Sequence, residues 1–263
     1  MIVQCGFKPL DGETLCMDGN GELTIVPSVH FSPRHRRRTR AVIREVEPDI
    51  VAVELDQRRF DRLWRRDTAE TIDRRGLAPV AAITYDTLRL VQRTVVRLYG
   101  LDPGKTEMET AIETAAELEI DVALIDEPLA EIVAELSDRL GPETIPKLLV
   151  RSSFMTPTER LAQLEAATIP LRTVEHGDDV QPAVDAMRRV LPEVTDVLID
   201  RRDTAMARRL HTLRRTGHDV VAVVGAGHHN GLSRELEALE GTDHGLHVPI
   251  ESPAREVVRI PID

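Results

Sequence analysis

Short aliphatic runs alternate along this chain with longer stretches whose apolar positions recur every three or four residues, the patterns of buried strands and amphipathic helices. Leu23–Val26 reads as a strand, stopped by Pro27 because proline has no N–H for a ladder. Ser32 and Pro33 read as an N-cap and a first-turn proline. They open a helix that passes through Val42 and Val46 and ends before Pro48. Ile50–Val53 is a second strand, followed by an arginine-rich helix from about Asp56 to Arg66 and another from about Tyr85 to Leu98. Met108, Ala111, Ala115 and Leu118 mark a further helix, and Val122–Ile125 a third strand. Helices are expected from Pro128 to about Leu164, broken at Gly141 and Pro142, then a connector from Thr168 to Val180. A long helix from about Val194 to Arg215 leads into Val220–Val224, the strongest strand pattern. The tail, His247 to Ile260, holds two short strand-like pieces around Pro253.

Apolar strands alternating with helices predict an α/β fold, a central largely parallel or mixed sheet flanked by helices, in one domain over residues 1–263. In such sheets ligands bind beyond the carboxyl ends of the strands. The residues to examine are therefore Pro27–Ser32, Glu54–Asp56, Asp126 with Glu127, and Gly225–Asn230.

Composition narrows the function classes. A net charge of −11 disfavours a phosphate-backbone partner. No run approaches the ~20 apolar residues of a membrane span, and Met1–Leu10 lacks a secretory signal pattern, so a cytoplasmic protein without a membrane partner is expected. Lysine occurs only at Lys8, Lys105 and Lys147; an acidic, arginine-using surface suits a high-salt cytoplasm, and a GC-rich genome explains it equally. Cys5 and Cys16 lack a CxxC pattern and are read as thiols. Gly100–Thr106 has three residues between its glycines where a P-loop needs four. Gly225–Gly231 is one residue too long for the dinucleotide fingerprint.

Three strand ends carry metal-ligand side chains: His30, Glu54 and His228. Imidazole nitrogen and carboxylate oxygen suit Zn²⁺, Mn²⁺ or Co²⁺, and two histidines with one carboxylate leave positions open for an acidified water. Without a metal, Glu54 at the end of an apolar strand needs a counter-ion, which Arg58 or Arg202 can supply. Arg34, Arg36, Arg37, Arg38 and Arg40 read as a solvated helix face or as an anion clamp. Thr24–His30 and Ala222–His228 share one pattern, strand then histidine then helix, so a two-half pseudo-repeat facing across a cleft is expected.

Val26–Ser32, Val53–Asp56, Glu107 with Met108, Leu124–Asp126, Arg202–Ala207 and Val223–Gly231 occur in the order of the TraB/PrgY pattern. Over about residues 22 to 240 the chain resembles that pheromone-shutdown family, itself similar to the Tiki-type metalloproteases with two GxxH motifs and a glutamate. The resemblance implies Gly225–His228 as the second motif, Glu54 as the glutamate, and Arg202 as an orienting or charge-stabilising group. Pro27 stands where the first motif has glycine, and Asp126-Glu127 and Arg201-Arg202 depart from the common pairs. Many archaeal members carry a membrane-spanning C-terminal region; none is expected here, where the sequence ends at Asp263. The expected function is a divalent-metal-dependent hydrolase of a peptide or small amide. The metal ligands are His30, Glu54 and His228, with Glu54 and Arg202 in the chemistry. The alternative is a non-catalytic regulator that binds or sequesters a small peptide signal. An anion-binding module at Gly225–Gly231 is the third reading, and a homodimer stays open.

Overall fold

A computed structural model describes residues 13–15, 21–29, 32–64, 106–139, 174, 176–240 and 246–253. His30, both cysteines, the expected helix at 85–98 and nearly all of Gly100–Thr106 lie outside the described residues, as do the expected elements at 140–164 and beyond Pro253.

Six strands form one sheet in the order β1-β2-β5-β3-β4-β6. They are β1 (Glu13–Leu15), β2 (Leu23–Ser28), β3 (Ile50–Val53), β4 (Asp121–Leu124), β5 (Val220–Gly225) and β6 (Ile250–Glu251). The central four, β2, β5, β3 and β4, run parallel, and an antiparallel strand closes each edge. The sheet is mixed, as its sequence pattern predicted.

Alternate residues of the parallel strands feed two cores. Ile50, Ala52, Ala222 and Val224 pack with Met206 and Leu210 on one face. Val51, Val53, Val221 and Val223 pack with Ile43, Phe60 and Ile112 on the other. A sheet buried on both faces explains why these strands read as continuous apolar runs instead of alternating ones.

The helices start and stop by local chemistry. α1 (Pro33–Val46) has Ser32 as N-cap, its hydroxyl accepting from the His35 N–H, and Glu47 in the left-handed region at φ 45° closes it before Pro48. α2 is Gln57–Trp64, and α3 (Glu107–Leu118) is capped by Thr106. α4 is Leu129–Arg139 and α5 is Gly177–Val190. α6 (Pro192–Thr195) runs through a π-helical turn, Asp196–Asp200, into α7 (Arg201–Arg215); α8 (Ala226–Leu239) follows β5 directly. None of the described helices is long and apolar enough to cross a membrane.

Three expectations need correction. Pro27 does not stop β2, which continues to Ser28. The Glu22 carbonyl accepts from the Val220 N–H, so even-numbered residues of β2 bond to β5. The nitrogen of Pro27 then faces the β1 side, past the last described pair there, Glu13 with Ile25. The missing N–H removes no described ladder bond. Second, the connector does not reach Val180, because α5 begins at Gly177, with Asp178 and Asp179 favouring the positive end of its first turn. Third, the two patterned halves are adjacent strands in parallel register, Thr24 beside Val221, and do not face each other across a cleft.

Candidate functional site

Because β2, β5, β3 and β4 are parallel, their carboxyl ends share one edge of the sheet. Glu54 follows β3, Asp126 follows β4 by two residues, and His228 is the third residue of α8 after β5. Val29, the residue before His30, is buried against Ala226 at this same edge. His30 itself lies outside the described residues.

Glu54 is 6% exposed. Its Oε2 accepts from the Gly225 N–H at 2.6 Å, at the N-terminus of α8, where the helix dipole favours an anion. Its Oε1 accepts from Nη2 of Arg202. Arg202 grips Asp126 at two points, Nε to Oδ1 at 3.0 Å and Nη2 to Oδ2 at 2.7 Å. Its Nη1 donates to the Leu198 carbonyl, inside the π-helical turn, at 3.1 Å and to Nε2 of His228 at 3.0 Å. A π turn re-aims the residues that follow it. Here Arg202 points at the sheet edge, and Arg201 points to Glu127.

That contact decides the tautomer of His228. A guanidinium has only N–H donors, so Nε2 must accept and the proton sits on Nδ1. Nδ1 donates to Oδ1 of Asp203 at 2.6 Å. The imidazole therefore presents a lone pair on Nε2, 3.4 Å from Oε1 of Glu54.

Behind this first layer, Arg59 donates from Nη2 to Asp126 at 2.6 Å and from Nε to Asp56 at 2.8 Å. Burial raises the Asp126 pKa, but Arg202 and Arg59 outweigh it and hold the carboxyl far below the ordinary range. Burial opposes the charge on Arg202, yet Glu54 and Asp126 win and raise its pKa. Asp203 is raised, burial outweighing its bond to His228. Glu54, Asp56, Asp126 and Asp203 face Arg59 and Arg202, and Arg209 adds a third positive charge at the Asp126 carbonyl.

Do these residues fit a divalent ion? Ligand atoms about 2.1 Å from a tetrahedral centre lie about 3.4 Å apart, the separation of Nε2 and Oε1 here. A carboxylate behind a ligating histidine is the usual support, and Asp203 stands in that place behind His228. Among the described residues no group of three ligand-type side chains is placed to hold a metal ion, and Arg202 lies against both donor atoms. An ion on this pair would require the guanidinium to leave both donor atoms, with its two bonds to Asp126 as the remaining hold.

The chain matches the TraB/PrgY/gumN family over residues 17–243. It belongs to that family. An uncharacterised protein of Methanocaldococcus jannaschii is 28% identical over 229 residues, covering 86% of this chain and 56% of the relative. This chain thus spans little more than half the length of the relative it matches.

Sequence reasoning placed Glu54, Arg202 and His228 in the candidate site of this family member, and the structure brings the three into contact. It missed Asp203, Asp126 as the anchor of Arg202, and Arg59. Arg202, and not Arg58, is the partner found for Glu54. Asp203 was signalled only by following Arg202 in the family block; nothing in its spacing from His228 announces their contact. Of the arginines after His30, Arg34 and Arg37 are exposed, whereas Arg36, Arg38 and Arg40 are half-buried. His35 is structural, its Nε2 2.9 Å from the Val174 carbonyl oxygen.

Proposed function

We propose that this family member is a divalent-metal-dependent hydrolase acting on a peptide or small amide. The observation carrying the reading is the His228 imidazole, held as the Nδ1–H tautomer by Asp203 with its Nε2 lone pair facing Glu54. Glu54 and His228, with His30, would hold the ion, which when bound supplies an acidified water and polarises a carbonyl.

The chain's own groups have separable roles. A water adds its oxygen to the amide carbon and gives a proton to the Glu54 carboxylate, as the carbonyl oxygen becomes an oxyanion. Arg202, positively charged throughout and fixed by Asp126, stabilises that charge. Breakage of the C–N bond then sends the Glu54 proton to the leaving amine. Asp56 and Arg59 keep Asp126 and Arg202 aligned.

A second reading, a regulator that binds a small peptide without cleaving it, is favoured by the position of Arg202 against both donor atoms. Anion binding at Gly225–Gly231 loses support, because Glu54 takes the Gly225 amide. The test is a mixed peptide library incubated with the protein and Mn²⁺, Co²⁺ or Zn²⁺ in turn, with products read by mass spectrometry. Hydrolysis is expected, abolished in Glu54→Gln and reduced about 10²–10³-fold in Arg202→Gln. Retained but uncut peptides in all three metals would establish the second reading and sink the first.

A further inference from the structure

Gly231 is the sixth residue of α8, inside the helix, where glycine is the least favourable residue after proline. It has no left-handed backbone to justify it, since Gly217 is the one described glycine with positive φ. Its justification is spatial. A Cβ placed on Gly231 lies 1.8 Å from Oδ2 and 2.8 Å from Cγ of Asp203. Gly227, one turn earlier on the same helix, would bring its Cβ no closer than 3.8 Å to Val184, ordinary contact.

We infer that Gly231 is a positioning residue, its bare Cα being the seat in which the Asp203 carboxylate lies to hold Nδ1 of His228. The side chain of Asp203 is 2% exposed and extends from α7 across to α8. Its Oδ1 accepts from Nδ1 of His228 at 2.6 Å; Oδ2 is buried over Gly231 with no hydrogen-bond partner among the described residues. The two oxygens belong to one planar group. A methyl at 231 that displaces Oδ2 must swing Oδ1 off the imidazole as well. The chemistry thereby assigned to His228 depends on a residue that touches neither substrate nor metal. This inference takes its functional meaning from the proposed hydrolytic site, but its geometry stands apart from whether that site cleaves anything.

The test reads the hydrogen bond directly. In full-length protein labelled with ¹⁵N-histidine, a Nδ1–H donating to a buried carboxylate gives a downfield proton signal that exchanges slowly with water. The signal is assigned by its absence in His228→Ala. Wild type and Gly227→Ala are expected to show it, whereas Gly231→Ala and Asp203→Ala lose it with the remaining amide spectrum intact. A folded Gly231→Ala that keeps the signal overturns the inference. Should Gly231→Ala fail to fold, the double variant Gly231→Ala/Asp203→Ala removes the colliding carboxylate and is expected to fold; if it does not, the inference is equally overturned. Absence of metal or hydrolysis in wild type would refute the proposed function and leave this result untouched.

Discussion

Asp126 is the carboxylate on which Arg59 and Arg202 converge, and its side chain is 0% exposed. Asp126→Asn preserves its shape and removes its charge. Removing one partner of a buried ion pair costs about 3–5 kcal/mol, because the other charge is left uncompensated. Here Arg59 keeps Asp56 and Arg202 keeps Glu54, which places the loss at the low end, about 3 kcal/mol. In a chain of this length each kcal/mol moves the Tm by about 2–4 °C, so scanning calorimetry at about pH 7 should show a fall of about 6–12 °C. The pH dependence has a definite sign. A carboxyl whose folded pKa is depressed stabilises fully above its unfolded value of about 3.9 and loses that contribution as the pH falls further. The gap between wild type and variant should stay constant from about pH 8 to 5 and close below about pH 4. A variant melting within about 2 °C of wild type, or a gap that widens on acidification, would refute the reasoning.

Three substitutions test the local structure beside the strands and at the start of α1. A Cβ on Gly21 lies 1.9 Å from the His218 carbonyl oxygen, which is backbone and cannot yield, so Gly21→Ala should cost about 3 kcal/mol or more. Gly217→Ala meets no atom within 4 Å and carries only the strain of φ 89°, about 1–2 kcal/mol; urea midpoints in the reverse order would contradict this. Ser32→Ala removes the α1 N-cap, whose bond to the His35 N–H is long at 3.5 Å, and should lower stability by about 0.5–1 kcal/mol in the same assay.

How much of this was legible beforehand follows from where each property is stored. The strands Ile50–Val53 and Val220–Gly225 and the helix Pro33–Val46 are written in local pattern, caps and breakers, and they lie where periodicity placed them. Pro27 was misread because its effect depends on which neighbour its nitrogen faces, a fact of strand order. The strand-end rule found Glu54 and His228, since parallel topology sends successive strand ends to one edge. Arg202, Asp203 and Arg59 reach that edge from helices. Arg202 was reached as one of two counter-ions open to Glu54 and through the family resemblance; Asp203 was not, because its contact with His228 arises from packing α7 against α8 and leaves no spacing rule in the chain. The π turn before Arg202 left no composition signal either.

The central claim is that Glu54 and His228 hold a divalent ion. Its most direct measurement is elemental analysis of tag-free protein after incubation with Mn²⁺, Co²⁺ and Zn²⁺ and removal of excess, for wild type, Glu54→Gln, His30→Ala and His228→Ala. About one ion per chain in wild type, lost in each folded variant, is the predicted result. No stoichiometric metal in wild type, or metal that persists in His228→Ala, would contradict the account.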